Sequence, residues 1–299
     1  MKKIVLLLMV FLPIFVHGQI SIRQAAEKKM VDVKYDSLEN FVKPENTRAL
    51  IGQSLYVIPI SEGLRKYGYD GFYTKSSLEK EFIYKKIDKY SSSSLYEELV
   101  GRTFKVIDVI KQNGKYYGTD YILKIADDKD TLFYQYPEYE SSYKMMVLGY
   151  YEKLKSKYVG NKYYFKRAPD KYWTDFETGE QVELIAGSEW TCTDIVLDSK
   201  YYNLKMLFKN NNSQTLSNEI ERLDINFILK DYGDYLFNKY GELYKKAIAG
   251  KVVIGMAKEL VVIAWGFPEK INSSSDGLDQ WVYGNQYLYI QNGVLKSWN

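Results

Sequence analysis

Short segments in which apolar and polar residues alternate, separated by turns rich in glycine and asparagine, dominate this chain. The clearest case is residues 103–111, followed by Asn113-Gly114 and a returning segment at residues 115–125. Alternation with a period of two is typical of a β-strand, and Asn-Gly favours a two-residue hairpin turn. The 30 tyrosines of the chain favour the same structure, because tyrosine packs well on half-buried sheet faces. The sequence therefore predicts antiparallel hairpins.

Three short segments resemble one another and indicate that this β-rich part is divided into small units. Each has two apolar residues, a glycine, two polar positions and then an alternating strand. The three glycines are Gly52, Gly101 and Gly160. A glycine at this point is typical of a short helix that ends in the left-handed conformation and leads directly into a strand. The pattern predicts small antiparallel units, SH3-like in size, at residues 19–95, 96–150 and 151–222.

The character of the sequence changes near Leu223, where helical periodicity replaces alternation. Residues 235–249 place apolar side chains on one helical face, and Gly250 closes this segment. A second helix is predicted over residues 257–265, because Gly266 and the proline two positions later stop it. The chain as a whole is therefore predicted to belong to the α+β class.

Three short strands complete this C-terminal part. They are predicted at residues 280–283, 286–291 and 294–298, with Gly284-Asn285 and Asn292-Gly293 as tight turns. The result is a three-stranded antiparallel meander whose one face is covered by the two helices. Residues 223–299 are thus predicted to form a complete module with one sheet face left open.

The first residues have the layout of a secretory signal peptide. An apolar run at residues 4–16 follows two lysines, and Val16 and Gly18 are the small residues before a cleavage position at Gln19. Residues 1–18 are predicted to be removed during export to the periplasm or to the outside of the cell. No cysteine follows that would carry a lipid anchor, and no later apolar run approaches about 18 residues, so no transmembrane helix is expected.

The distribution of histidine and cysteine restricts the possible chemistry. His17, the only histidine, lies in the predicted leader, and Cys192 is the only cysteine. Catalysis by Ser-His-Asp or Cys-His groups and histidine-ligated metal sites are therefore excluded for the mature chain. A single cysteine within an apparent strand favours a buried, inert thiol. We expect neither a cofactor nor a metal.

The charge of the chain argues against a nucleic-acid partner. The net charge is +3, from 41 basic and 38 acidic residues that are interspersed along the sequence. Such a distribution provides no strong field to attract nucleic acid.

Two acidic groups are candidates for function. Asp127, Asp128 and Asp130 lack the glycine and the distal glutamate of a calcium loop, so a solvated hairpin turn is the preferred interpretation. The second group consists of Asp170, Asp175 and Glu177 beside Tyr172 and Trp173. A hydrolase that uses only these carboxylates is the least favoured alternative. Hydrolysis needs two carboxylates at a set separation across a cleft.

The order of short motifs in the C-terminal module is distinctive. They are Gly255-Met256, a helix, Gly266-Phe267-Pro268, Trp281-Val282-Tyr283 and an aromatic strand that ends in Asn292-Gly293. In this order the module resembles the BamE/SmpA-like domain of the outer-membrane β-barrel assembly lipoprotein, a fold that also resembles a secreted inhibitor of β-lactamases. The resemblance implies a domain that binds proteins and does not perform catalysis. The chain departs from that family at Ala257, where the family has Thr or Ser.

These observations predict a secreted, non-enzymatic bacterial envelope protein that acts through protein–protein contacts of its BamE-like C-terminal module. Tyr283, Tyr287, Tyr289 and Trp298 are the candidate anchors for an envelope protein partner. Trp281 is expected to be the buried ring of the sheet. The identity of the sheet face that stays open is not predicted.

The main alternative is a glycan-binding module. In this hypothesis the rings of Tyr172, Trp173 and Trp190 form an exposed, coplanar row on which sugar rings stack. The two hypotheses differ in a simple way, because glycan binding requires Trp173 and Trp190 to be exposed. A hydrolase would instead require a concave pocket with two facing acids.

Overall fold

The computed structural model describes residues 35–36, 39–114, 118–167, 173–198, 203–275 and 277–299. The predicted signal peptide and its cleavage site lie outside these residues. All strand pairs that the described residues form are antiparallel. The larger sheets have six, five and four strands. The prediction of a β-rich chain with several antiparallel sheets is confirmed.

The first sheet has six strands and is curled into a half-barrel. The strands in this part of the chain are β1 (Ser54–Val57), β2 (Tyr69–Asp70), β3 (Phe72–Tyr73), β4 (Ser93–Ser94), β5 (Thr103–Asn113), β6 (Thr119–Ala126), β7 (Thr131–Gln135) and β8 (Met145–Val147). Their order across the sheet is β3-β7-β6-β5-β1-β8, and β2 pairs separately with β4. One 3-10 helix lies before β1 at Pro44–Leu50. Others lie between the strands at Glu62–Tyr67, Lys80–Phe82, Tyr96–Glu98 and Glu140–Ser142. The core of this sheet contains the fully buried side chains of Leu55, Phe104 and Ile125.

β5 and β6 form the predicted hairpin, but the turn differs from the prediction. Asn113 pairs with Thr119 as a strand residue, and the amide of Gly114 donates to the carbonyl of Gly118 at 3.1 Å. The connection is therefore longer than the expected two-residue turn, and residues 115–117 within it lie outside the described part. The buried face of the two strands sets their register, and this outweighs the local preference of Asn-Gly.

The second sheet has five strands. The elements of this part are α1 (Leu148–Tyr158), β9 (Lys162–Phe165), β10 (Trp173–Thr174), β11 (Gln181–Val182), β12 (Glu189–Asp198), β13 (Asn203–Lys209), β14 (Thr215–Glu219), a 3-10 turn (Ile220–Arg222), α2 (Leu223–Asn226) and β15 (Phe227–Leu229). The strand order is β14-β13-β12-β9-β15, and β10 pairs with β11. Trp190 and Cys192 are buried in its core, where Phe208 stacks on Phe227 with ring centroids 4.2 Å apart.

The three similar segments share one local structure, which is a β-bulge. Gly52, Gly101 and Gly160 all have positive φ, at +83°, +76° and +89°. Each glycine follows a short helical segment and precedes a strand, as predicted. Each amide donates to the carbonyl of one residue on a neighbouring strand, and that residue donates back to the carbonyl after the glycine. Two residues therefore face one, and only glycine adopts this conformation without strain.

The first two bulges both lie in the first sheet. Gly52 lies opposite Val106 and Gly101 lies opposite Val57, so the two bulges flank the β1–β5 pair at its two ends. Gly160 lies opposite Cys192 in the second sheet. Strands from residues 19–95 and 96–150 thus share one sheet. The boundaries of the three units stay a prediction.

The C-terminal part contains three helices and a four-stranded sheet. Its elements are α3 (Lys230–Tyr240), α4 (Glu242–Ile248), α5 (Lys258–Trp265), β16 (Lys270–Ser273), β17 (Leu278–Tyr283), β18 (Gln286–Gln291) and β19 (Val294–Trp298), with the strands in sequential order. α5 and the last three strands confirm the predictions for those segments. Leu260, Val261, Leu288 and Leu295 are fully buried between α5 and the sheet, and Trp281 is buried as expected.

Two predictions for this part are wrong. The single helix over residues 235–249 is two helices, because Gly241 adopts φ +52° between α3 and α4. The meander has four strands and not three, since β16 pairs with β17. All four residues of β16 are exposed, so this strand lacks the alternation that would reveal it in the sequence. In the described part of the chain, no helix has the length and apolar character needed to cross a membrane.

Candidate binding groove

The four predicted anchors do not share one face of the C-terminal sheet. Directly paired residues lie on the same face, and Trp281 pairs with Leu288 on the face that α5 covers. Tyr287 and Tyr289 alternate with Leu288 along β18, so both lie on the opposite, open face. Both rings are half-buried, and the hydroxyl of Tyr289 accepts a hydrogen bond from Gln280 Nε2 at 3.1 Å.

Tyr283 and Trp298 lie on the helix-covered face. The Tyr283 hydroxyl donates to the carbonyl of Gly266 at 2.9 Å, and its ring meets Trp265 edge-to-face at 5.5 Å. Burial raises the pKa of Tyr283 to about 12. Trp298 pairs with Leu288 at the sheet edge and is 50% exposed. The structure therefore places the four candidate anchors in two pairs on opposite faces.

The residues of the glycan hypothesis do not form an exposed row. Trp190 is only 1% exposed, and its Nε1 donates to Ser188 Oγ at 2.9 Å. Trp173 is half-buried and meets Phe165 edge-to-face at 5.9 Å. Tyr172 lies outside the described residues. The expected exposure of Trp190 is wrong, because alternation in β12 directs its ring into the core of the second sheet.

The acidic group around Trp173 organises a turn. Asp175 accepts hydrogen bonds from the backbone amides of Glu177 and Thr178, both at 2.9 Å, and of Thr215 at 2.7 Å. These amides lower the pKa of Asp175, led by that of Thr215. Asp170 lies outside the described residues. Backbone amides thus donate to both oxygens of Asp175, and this carboxylate stabilises the turn.

The turn between β6 and β7 is less solvated than predicted. Asp127 accepts hydrogen bonds from Arg102 Nε at 2.8 Å and Arg102 Nη2 at 2.9 Å, and Asp130 accepts one from Arg102 Nη2 at 2.8 Å. Tyr84 also donates to Asp130, at 2.8 Å. Asp128 is exposed, as expected for a turn. The turn is therefore joined to the start of β5 by Arg102, a partner that lies too far away in the sequence to be predicted.

A large groove separates the edge of the second sheet from the C-terminal module. Its volume is about 1420 Å³. On one side it is lined by the end of α1 and by the residues that follow β9, together with α2 and β15. On the other side it is lined by α5 and the residues that follow it, with Tyr283 and Gln286. Of the four predicted anchors, Tyr283 lies in this groove.

The groove has an apolar wall that the sequence analysis missed. α5 buries Leu260 and Val261 against the sheet, while Val262 and Ile263 line the groove. Phe267, directly after the helix, is 84% exposed. The signal for this wall is the uninterrupted apolar run from Leu260 to Trp265, because a helix that is apolar on all sides needs partners on all sides.

The opposite side of the groove combines apolar and basic residues. Ile225 is 60% exposed and Leu229 is 42% exposed. Lys157, Lys166 and Arg167 also line the groove. The Lys166 ammonium donates to the backbone carbonyl of Asp224, and burial lowers its pKa.

Acidic side chains are rare among the described residues that line the groove. Asp224 is the one carboxylate among its described lining residues. In the described ranges, no cluster of three or more His, Cys, Asp or Glu side chains is placed to hold a metal ion. Comparison of the chain with protein-family models, with curated proteins and with solved structures finds no match.

Proposed function

We propose that this chain is an exported, non-enzymatic envelope protein that binds another protein through its C-terminal module. The groove beside α5 is the binding surface. The observation that carries this proposal is the apolar wall of the groove, where Phe267 is 84% exposed beside the half-buried Val262 and Ile263 of a helix that is packed on its other side. Contiguous apolar surface of this kind marks interaction sites in soluble proteins.

The resemblance to the BamE/SmpA-like domain supports the same role. Helices packed on one face of an antiparallel sheet are common to both, and the family implies protein binding. The strand β16 is an addition to the three-stranded meander that the sequence predicts for this module. Fold alone does not select a function, so the exposed chemistry of the groove carries more weight.

Site-specific photo-crosslinking tests this proposal. A photoreactive amino acid replaces Phe267 in the groove, Tyr289 on the open sheet face or Tyr90, which is 78% exposed in the first part of the chain. Each protein is incubated with envelope extract from the source organism. We expect one discrete protein adduct from position 267 and none from position 90. An adduct from position 289 alone would move the binding surface to the open sheet face.

Matched variants provide the control for this experiment. Phe267→Ser and Ile185→Ser each remove an exposed apolar side chain, since Ile185 is 68% exposed and lies outside the groove. Loss of a central apolar contact weakens binding about tenfold or more. We expect Phe267→Ser to lose the partner that Ile185→Ser retains. Equal capture by both variants would contradict a role for the groove.

A further inference from the structure

The three cations of the groove differ from Lys155 and Lys230, which lie near them and are paired with carboxylates. Lys155 lies two residues before Lys157 on α1 and pairs with Asp194 at 2.8 Å. Lys230 pairs with Asp234, also at 2.8 Å. In contrast, Lys157 lies over the ring of Tyr158, with its Nζ 4.8 Å from the ring centroid.

Lys166 and Arg167 are placed by the end of β9. The backbone amide of Lys166 donates to the backbone carbonyl of Asn226 at 2.7 Å, and that of Arg167 donates to the backbone carbonyl of Ile248 at 3.0 Å. These two bonds fix both residues beside the groove. Within the ranges that the structure covers, neither residue forms an ion pair, and Lys157 forms none either.

The charge of the groove is therefore local and positive. Its described lining carries three cations and one carboxylate, that of Asp224. The chain as a whole has nearly equal numbers of basic and acidic residues, so this excess is a property of the groove and not of the composition. Charges beside an apolar wall interact more strongly than charges in open water, because the local dielectric constant is lower.

We propose that the groove takes a segment of a partner protein in which apolar and acidic residues are combined. Its apolar side chains pack on Val262, Ile263 and Phe267, and its carboxylates face Lys157 and Arg167. This inference rests on the proposed function, to which it adds the chemistry of the partner. Complementary charge of this kind selects the partner and sets the direction in which the segment lies.

Peptide display on the full mature chain tests this inference. A library of random 12-residue peptides is selected on the immobilised wild-type chain and, in parallel, on Phe267→Ser. We expect the peptides that are enriched only on the wild-type chain to contain an excess of Asp and Glu together with apolar residues. Enriched peptides without an excess of acids would overturn this inference while leaving the proposed function standing.

Charge reversal provides the second measurement. The double variant Lys157→Glu, Arg167→Glu is compared with Lys153→Glu, Lys209→Glu, which changes two exposed lysines outside the groove by the same net charge. For one selected peptide, followed by fluorescence anisotropy, we expect Kd to rise about tenfold in the groove variant and to change little in the control. Wild-type Kd should also rise with salt, because added ions screen these contacts.

Two outcomes would contradict the inference directly. Equal Kd for the groove variant and the control would show that the cations do not contribute. Binding to vesicles of phosphatidylglycerol without any enriched peptide would assign the groove to an anionic lipid surface. If no enriched peptide depends on Phe267, the proposed function itself fails.

Discussion

Gly233 lies where α3 crosses the second sheet, and the space there excludes any side chain. A Cβ at this position would lie 2.6 Å from the hydroxyl of Tyr244 and 2.7 Å from Cδ2 of Tyr164. Tyr164 also donates to Asp234 and accepts a hydrogen bond from Lys230, so its ring is held in place. The close approach at Gly233 therefore joins α3 to β9.

We expect Gly233→Ala to lower the free energy of unfolding by about 1–3 kcal/mol, since the two tyrosine rings must move to admit the methyl group. Gly63→Ala is the matched control, because no atom lies within 4 Å of its Cβ position. Urea unfolding of both variants measures the difference. Equal stability of the two variants would show that α3 adjusts without cost.

At the scale of elements, the glycine bulges do more than begin a strand. Arg102 is the second residue of the bulge at Gly101, and Val57 donates to its carbonyl at 2.9 Å. A bulge redirects the side chains beside it. Here the guanidinium reaches the turn between β6 and β7, so one bulge connects the β1–β5 pair to this turn.

Asp127 makes the stability of this connection depend on pH. Burial alone would raise the pKa of its carboxyl, but the amides of Asp130 and Lys129 and the guanidinium of Arg102 lower it below the ordinary value of 3.8. A lowered pKa contributes stability that is present above the unfolded-state pKa and is lost as pH falls through the folded-state pKa. The contribution is thus complete at neutral pH and disappears in acid.

We expect Asp127→Asn to cost about 1.5–3 kcal/mol at pH 7, the range for hydrogen bonds to charged groups. The difference from the wild-type chain should shrink as pH falls below about 4. Asp128→Asn, at an exposed position in the same turn, is the control. Urea unfolding at pH 7 and pH 3 measures both variants, and a difference that does not change with pH would refute the argument.

For the whole molecule, β15 is the element that links the second sheet to the C-terminal helices. Phe227 faces the core of the second sheet, while Ile228 belongs to the core of the C-terminal module. Asn226 donates to Asn218 at 2.6 Å in a buried position. A division of the chain at Leu223 would therefore remove the edge strand and an aromatic ring from the second sheet.

We expect a chain that ends at Arg222 to unfold at a temperature about 10 °C or more below that of a chain that ends at Leu229. Removal of a buried phenylalanine typically costs about 3–5 kcal/mol, and each kcal/mol shifts Tm by roughly 2–4 °C in a chain of this size. Circular dichroism during heating measures both. Coincident transitions would mean that β15 contributes nothing to the second sheet.

Local features of the sequence determined much of the secondary structure. Alternation in β5 and β6, the stop of α5 at Gly266 and the left-handed conformation of Gly160 all depend on residues close together in the chain. Such short-range preferences act in the same way in any fold. The burial of Trp281 was also predictable, since an aromatic residue facing a helix needs an apolar partner.

Tertiary structure alone decided how these elements combine. The pairing of β1 with β5, the buried position of Trp190 and the two-sided placement of the four anchors depend on which strand lies beside which. The groove likewise arises because β15 belongs to one sheet while α5 packs on another. These contacts join residues far apart in the chain, and their energies are set by surfaces that exist only after the sheets have formed.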